Sequence, residues 1–291
     1  MIEAQPSRTA LRVALRRAAH QLHDAKPLVF DDPLAVRILG KEAQAELART
    51  PDSEKRPFSA ALRAFMVCRA RLAEDVLAAG VRDAGVSQYL VLGAGLDTFA
   101  YRNPFAGVQV FEVDHPATQA WKRERLEDAG IALPESMKLV AVDFERQSLG
   151  DELLVAGFDC GASTVIAWLG VVPYLTLEAF RATVSLLGSF AAGSSVVFDY
   201  SQPREVLSPR EQLMLDSMAS RVAQAGEPFR LFFTPEALAA ELEAVGLSVV
   251  EDLDGPAIHS RYLAERTDGL ALQGRGGRIC HAHMRGMRAE G

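Results

Sequence analysis

Residues Gln88–Asp114 read QYLVLGAGLDTFAYRNPFAGVQVFEVD. The apolar run Tyr89-Leu90-Val91-Leu92 has the length of a buried strand, and Gly93-Ala94-Gly95 follows at once. A second β-rich run, Val108 to Val113, ends on Asp114. Strand, glycine turn, crossover and a second strand ending in an acid is an arrangement that holds a nucleotide-type ligand at the carboxyl edge of a parallel sheet. The glycines let the backbone approach the ligand, and the acid accepts hydrogen bonds from ribose hydroxyls. Asp114 follows Gly95 at close to the usual offset of about 20 residues. The dinucleotide fingerprint is incomplete, because its third small residue is replaced by Thr98 inside LDTFAYR. A β-branched residue there argues against a pyrophosphate on a helix N-terminus. A ligand with a ribose and no diphosphate fits better, and S-adenosylmethionine is the common one.

Outward from this stretch the chain alternates strands and helices. Further strands are predicted at about 138–143, 163–168, 194–200, 248–251 and 278–284, with helices over 116–130, 177–192 and 235–245. Thr234, Pro235 and Glu236 open the last of these as N-cap, first-turn proline and first-turn acid. The pattern predicts a doubly wound, Rossmann-like α/β fold: a seven-stranded, mostly parallel sheet with helices on both faces. On the N-terminal side, amphipathic spacing predicts a helix over 9–23, an Asp32-Pro33 helix start reaching about Leu39, and a long helix over 59–80. Residues 41–58 read as a mobile surface connection. Residues 1–80 form an N-terminal helical cap and 81–291 the cofactor-binding part, effectively one structural unit. The interval at about 201–233 exceeds a bare connection and carries helical spacing over 209–225, so it is read as a lid above the carboxyl edge.

The 291 residues are 49% hydrophobic and 24% charged, as in an ordinary globular protein. A formal charge of −7 argues against nucleic acid or an anionic membrane as the main partner. Cys68, Cys160 and Cys280 lie far apart without a C-x-x-C pair, which reads as reduced thiols in a cytoplasmic protein. His20 and His23 share a helix face but have no acid-rich partner motif, so no metal site is expected. Neither a signal peptide nor an apolar run long enough to span a bilayer is found. Nothing in the sequence speaks to oligomeric state.

LGAGLDTFAYR followed by FEVDHPATQAWKRERL resembles the leucine carboxyl methyltransferase family of class I S-adenosylmethionine-dependent methyltransferases, most closely its bacterial branch of small-molecule and polyketide O-methyltransferases. The resemblance extends over DDPLA, VCRARLAEDVL, VAVDFE, WLGVVPYLT and GEPFRLFFTPEALAAELEAVG, almost the whole chain. It implies the class I methyltransferase sheet with its last strands antiparallel, S-adenosyl-L-methionine as methyl donor, S-adenosyl-L-homocysteine as product and a role in secondary metabolism. It also implies that Gly93, Ala94 and Gly95 pack beneath the methionine part and Asp114 holds the ribose. Asp143 with Phe144 would frame the adenine, Arg69 would pair with the methionyl carboxylate, and Arg17 stands near another basic family position. Several members carry a glutamate where this chain has Leu169, so its contact would pass to Trp168 or to backbone.

The acceptor is expected to be a small molecule offering a carboxylate or a hydroxyl. A carboxylate is ionised at pH 7 and needs no base; a hydroxyl favours one. His259, His115, Asp199 and Tyr200 are candidates for catalysis, and Tyr174, Tyr200 and Arg261 for substrate contact. Glu112, one strand period before Asp114, is a candidate brace for the glycine loop. The alternatives are a protein C-terminal carboxyl methyltransferase, a nicotinamide-dependent oxidoreductase and a non-catalytic module on the same fold.

Overall fold

The structure, a computed structural model, describes residues 7–49, 56–143 and 146–285. Seven strands form one sheet among these residues: β1 Gln88–Leu92, β2 Gln109–Asp114, β3 Met137–Ala141, β4 Thr164–Trp168, β5 Ser195–Ser201, β6 Leu247–Leu253 and β7 Gly277–Met284. Their order is β3-β2-β1-β4-β5-β7-β6, and only β7 runs antiparallel to its neighbours. The last strands therefore do not both reverse, as the sequence suggested. β7 enters between β5 and β6 and reverses alone, with a bulge at Val249/Glu251 of β6.

The described helices are α1 Arg8–His23, α2 Lys41–Arg49, α3 Pro57–Asp83, α4 Pro116–Asp128, α5 Leu149–Val155, α6 Leu177–Gly188, α7 Pro209–Gln224, α8 Pro235–Glu243 and α9 Gly255–Tyr262. The period of two along β1 divides the core. Leu90 and Leu92 join Phe180 and Leu187 of α6 and Leu242 of α8 on one face, whereas Tyr89 and Val91 meet Val67, Leu72 and Leu77 of α3 on the other. Covered on both faces, β1 reads as a continuous apolar run. A third cluster joins Ala14, Ala18 and Ala19 of α1 to Ile38, Leu39 and Leu47.

Several local expectations are corrected. Residues 41–49 form α2, because Ala43 and Leu47, one turn apart, supply enough apolar face to dock it; 50–55 lie outside the described residues. Asp32-Pro33 opens a turn and a 3-10 segment at Arg37–Leu39, where the Asp32 carboxylate accepts from the Leu34 amide. β3 stops at Ala141, two residues short of Asp143. Two short helices were not anticipated, α5 capped by Ser148 and α9 capped by Asp254. Thr234 caps α8 as expected.

Among the described residues, no helix is long and apolar enough to cross a membrane. The chain leaves β3 on one side of β1 and returns at β4 on the other, so the carboxyl ends of β1 and β4 border the crevice where open α/β sheets bind ligands.

Candidate functional site

β1 ends in the glycine turn, where the amides of Gly93 and Ala94 both donate to the Val113 carbonyl and bind the turn to the end of β2. Gly95 has φ 48°, and a Cβ there would stand 3.0 Å from the Ala10 Cβ. The missing side chain thus serves two purposes: a left-handed turn, and the close approach of α1 over it. Asp114 faces this turn from the end of β2, with Oδ2 accepting from the Gly95 amide at 2.6 Å and Oδ1 from the His115 amide at 2.7 Å. Burial pushes the Asp114 carboxyl above its ordinary pKa.

A cavity of about 680 Å³ opens here, within the size range of small-molecule sites. Gly93, Ala94, Gly95, Asp114, Arg69 and Arg17 line it, as do His115, Trp168, Leu169 and Tyr174. Carboxylate, glycine turn and cationic side chains are the donor set that a nucleoside bearing an amino-acid tail requires.

Both arginines are already paired. Arg69 Nη1 meets Asp199 Oδ2 at 2.8 Å, while Asp199 Oδ1 accepts from the Gly170 amide at 2.6 Å. Asp199, with both oxygens engaged, holds Arg69 and the turn after β4; it does not line the cavity as the candidate base was expected to do. Gly170 has φ 73°, and a Cβ would come within 2.8 Å of Arg69 Nη2. Gly170→Ala is therefore expected to displace the guanidinium, weaken S-adenosyl-L-homocysteine binding about 10-fold in a calorimetric titration, and cost roughly 1–2 kcal/mol in urea unfolding.

Arg17 belongs to a buried network. Its Nη1 meets Asp97 at 2.7 Å, and its Nη2 meets Asp32 at 2.6 Å and Thr98 Oγ1 at 3.0 Å. Arg102 extends the network from Asp32 to Glu74. Burial opposes the Arg17 charge, but Asp97 and Asp32 outweigh it and raise its pKa above the ordinary value. Burial likewise opposes the Asp97 carboxylate, which Arg17 and its neighbours nevertheless bring to about 2. Thr98 has its physical reason here: its hydroxyl donates to Asp32, and a 3-10 turn follows in place of a helix N-terminus. Arg71 points elsewhere, to Asp75 on its own helix.

Glu112 does not touch the glycine turn. Fully buried, it pairs with Lys122 of α4 at 2.6 Å, and burial pushes its carboxyl up to about 7. Cys68 lies in the core with its thiol pushed up to about 12 by burial. His20 pairs with Asp24, and no cluster fit for a metal ion occurs among the described residues.

Other expected residues fall partly or wholly away from the cavity. Trp168 lines it but is stacked on Phe180 at 5.7 Å, so one ring face is occupied. Asp143 does not line it; its carboxylate lies 3.6 Å from Arg146, and Phe144 is outside the described residues. Tyr200 is buried with its hydroxyl donating to Asp252 at 2.6 Å. His259 accepts from the Leu272 amide, and Arg261 pairs with Glu251. None of these three lines the cavity: Tyr200 joins the core cluster with Phe180 and Leu242 on the α6 face of the sheet, and His259 and Arg261 lie on α9, which follows the edge strand β6. His115 does line it, with Nδ1 accepting from the Ala117 amide to cap α4.

Residues the sequence reading passed over complete the wall. Gln147 and Ser148 precede α5, and Thr9 and Met66 come from α1 and α3. Glu227 and Arg230 follow α7, whose own residues do not line the cavity. Of the interval expected to form a lid, the segment after the helix is the part that lines the cavity. The Ser148 capping pattern before α5 was the one local signal available for this group.

Comparison with known proteins places this geometry. The family model for leucine carboxyl methyltransferase matches residues 10–188. The "Putative S-adenosyl-L-methionine-dependent methyltransferase YktD" of Bacillus subtilis (strain 168) is 32% identical, over 93% of this chain and 96% of its own. A relative of the same description from Mycolicibacterium gilvum (strain PYR-GCK) is 32% identical, over 92% of each chain. Among solved structures, a DUF574 family protein of Streptomyces avermitilis superposes with TM-score 0.55 at 19% identity, covering 86% of this chain and 96% of that one. One described as a putative methyltransferase from Thermobifida fusca gives 0.56 at 16% identity, covering 86% and 94%. These two likenesses show the shared fold. On the match to the family model and the full-length similarity to its relatives, the chain belongs to the leucine carboxyl methyltransferase family of S-adenosyl-L-methionine-dependent methyltransferases.

Proposed function

We propose that the chain transfers the methyl group of S-adenosyl-L-methionine to an oxygen of a small molecule, a carboxylate or a hydroxyl. The observation that carries this reading is one continuous cavity, with the Gly95–Asp114 contact in its wall together with Thr9, Met66, Tyr174 and Glu227. The donor supplies an activated sulfonium methyl. What remains for the protein is to hold, orient and desolvate the acceptor. Asp114 would hold the ribose, the glycine turn would lie under the methionine part, and Arg69 would meet its carboxylate. Thr9 and Ala10 of α1, with Gly226, Glu227 and Pro228, line the same cavity and would limit water access to it. A cavity of about 680 Å³ favours a small acceptor over a protein terminus.

The chemistry of the product tests the reading. Incubated with methyl-tritiated donor and a metabolite extract, the protein is expected to label small molecules at oxygen. Methyl esters release the label as methanol in mild base, and methyl ethers retain it. Label found only on nitrogen, sulfur or carbon, or only in the protein fraction, would contradict it.

A further inference from the structure

Charge is matched almost everywhere along the cavity wall. Arg17 faces Asp97 and Asp32, Arg69 faces Asp199, and Glu74 faces Arg102. Asp114 accepts from two amides and is assigned above to the ribose. Glu227 and Arg230, both in the wall, form no ion pair with a described residue.

The two are held differently. Glu227 Oε2 accepts from the Thr9 amide at 3.2 Å and also from the Thr9 hydroxyl. Its Oε1 accepts from no described residue and is not sealed in the interior. The carboxylate is thus fixed by one oxygen and offers the other. Arg230 is held through its backbone, with its amide donating to the Pro173 carbonyl at 2.7 Å, and its exposed side chain is screened by water.

Thr9 also sets where this carboxylate stands. Ala10, the next residue of α1, packs over the Gly95 turn, and Tyr174 joins the same wall. Glu227 therefore stands near the space where the methionine part and the acceptor would meet. A carboxylate opposite the sulfonium would stabilise a charge that vanishes as the methyl leaves, and so slow the transfer. A protonated amine on the acceptor keeps its charge throughout. A nearby carboxylate favours the protonated form, which has no lone pair to take the methyl, so transfer is directed to oxygen.

We infer that the acceptor is a small organic cation, an oxygen nucleophile carrying a protonated amine, and that Glu227 sets this preference by pairing with the amine through Oε1. The inference rests on the oxygen-methylation reading above and deepens it. The amine is bound and oriented by this pair, and no bond to it is made or broken.

The test incubates the protein with methyl-tritiated donor and a metabolite extract, and separates the main oxygen-labelled product from the donor before electrophoresis. That product is expected to move to the cathode at pH 7 and to lose this mobility at about pH 12, where an amine is neutral. Glu227→Gln keeps an acceptor oxygen for Thr9 but removes the charge. With the same acceptor fraction its KM should rise about 10- to 10²-fold, the worth of one charge-assisted hydrogen bond, with kcat and S-adenosyl-L-homocysteine affinity close to wild type. An oxygen-labelled product that is neutral or anionic at pH 7, or still cationic at about pH 12, would overturn the inference and leave oxygen methylation standing. An unchanged KM would reduce Glu227 to a clasp on α1. Weakened binding of S-adenosyl-L-methionine but not of S-adenosyl-L-homocysteine would assign the carboxylate to the sulfonium. Either result overturns the inference. Label on nitrogen alone, or on no small molecule, would remove the oxygen-methylation reading as well.

Discussion

Asp114→Asn is expected to bind S-adenosyl-L-homocysteine about 10²-fold more weakly than wild type, while remaining folded at a stability cost of about 1–3 kcal/mol. The carboxylate is held on one side by the Gly95 amide at 2.6 Å and by the His115 amide at 2.7 Å, so it is positioned before any ligand arrives. Its burial works against the charge, as its raised pKa records, and a carboxylate kept at that cost gains from two hydroxyl donors. A charge-assisted hydrogen bond is worth roughly 1.5–3 kcal/mol, and a loss of about 3 kcal/mol is close to 10²-fold in affinity. Asparagine offers one acceptor oxygen and turns an amino group towards one of the two amides, donor against donor. Calorimetric titration measures the effect. Unchanged affinity with intact folding would place the ribose elsewhere.

The second large effect concerns stability. Lys122→Met removes the partner of Glu112, a side chain with no solvent exposure, and leaves a carboxyl uncompensated in the core. Breaking a buried pair from one side costs about 3–5 kcal/mol. The deficit should depend on pH. Burial already raises the Glu112 carboxyl from 4.5 to about 7 with the lysine present, and loss of the lysine can only raise it further. A folded-state pKa above the unfolded one favours folding fully below the unfolded value and ceases to do so as pH rises through the folded value. The variant should thus lose least near pH 5, where Glu112 is neutral in the fold, and most near pH 8. Urea unfolding of both proteins at the two pH values checks this. A deficit that is equal or larger at pH 5 would mean that Glu112 is not the group left uncompensated.

What was legible in the chain followed from local rules. Strands β1 and β2 showed themselves as apolar runs, and Gly95 and Asp114 lie within one such unit, so turn and acid could be read together. α2 escaped because it carries one fully buried side chain, Leu47, among charged neighbours. Tyr200 does stand at the end of β5, but alternation turns it into the core on the face away from Asp199; His259 and Arg261 were assigned by counting strands to the carboxyl edge. That count fails once β7 inserts between β5 and β6, a pairing set by contacts distant in sequence. The same limit hid Thr9 and Glu227, which are 218 residues apart and meet only in the fold. Arg17 and Arg69 could be read as cations near the site, but their partners Asp97, Asp32 and Asp199 could not, since each comes from another element. Thr98 was readable as the absence of a diphosphate residue. Its hydrogen bond to Asp32 was not.

The central claim is that the crevice between β1 and β4 takes a nucleoside methyl donor and no dinucleotide. Titration of the wild-type protein with S-adenosyl-L-homocysteine and, separately, with NAD tests it most directly. The account predicts saturable one-to-one binding of S-adenosyl-L-homocysteine and no heat with NAD. Binding of NAD, or no binding of S-adenosyl-L-homocysteine, would contradict it.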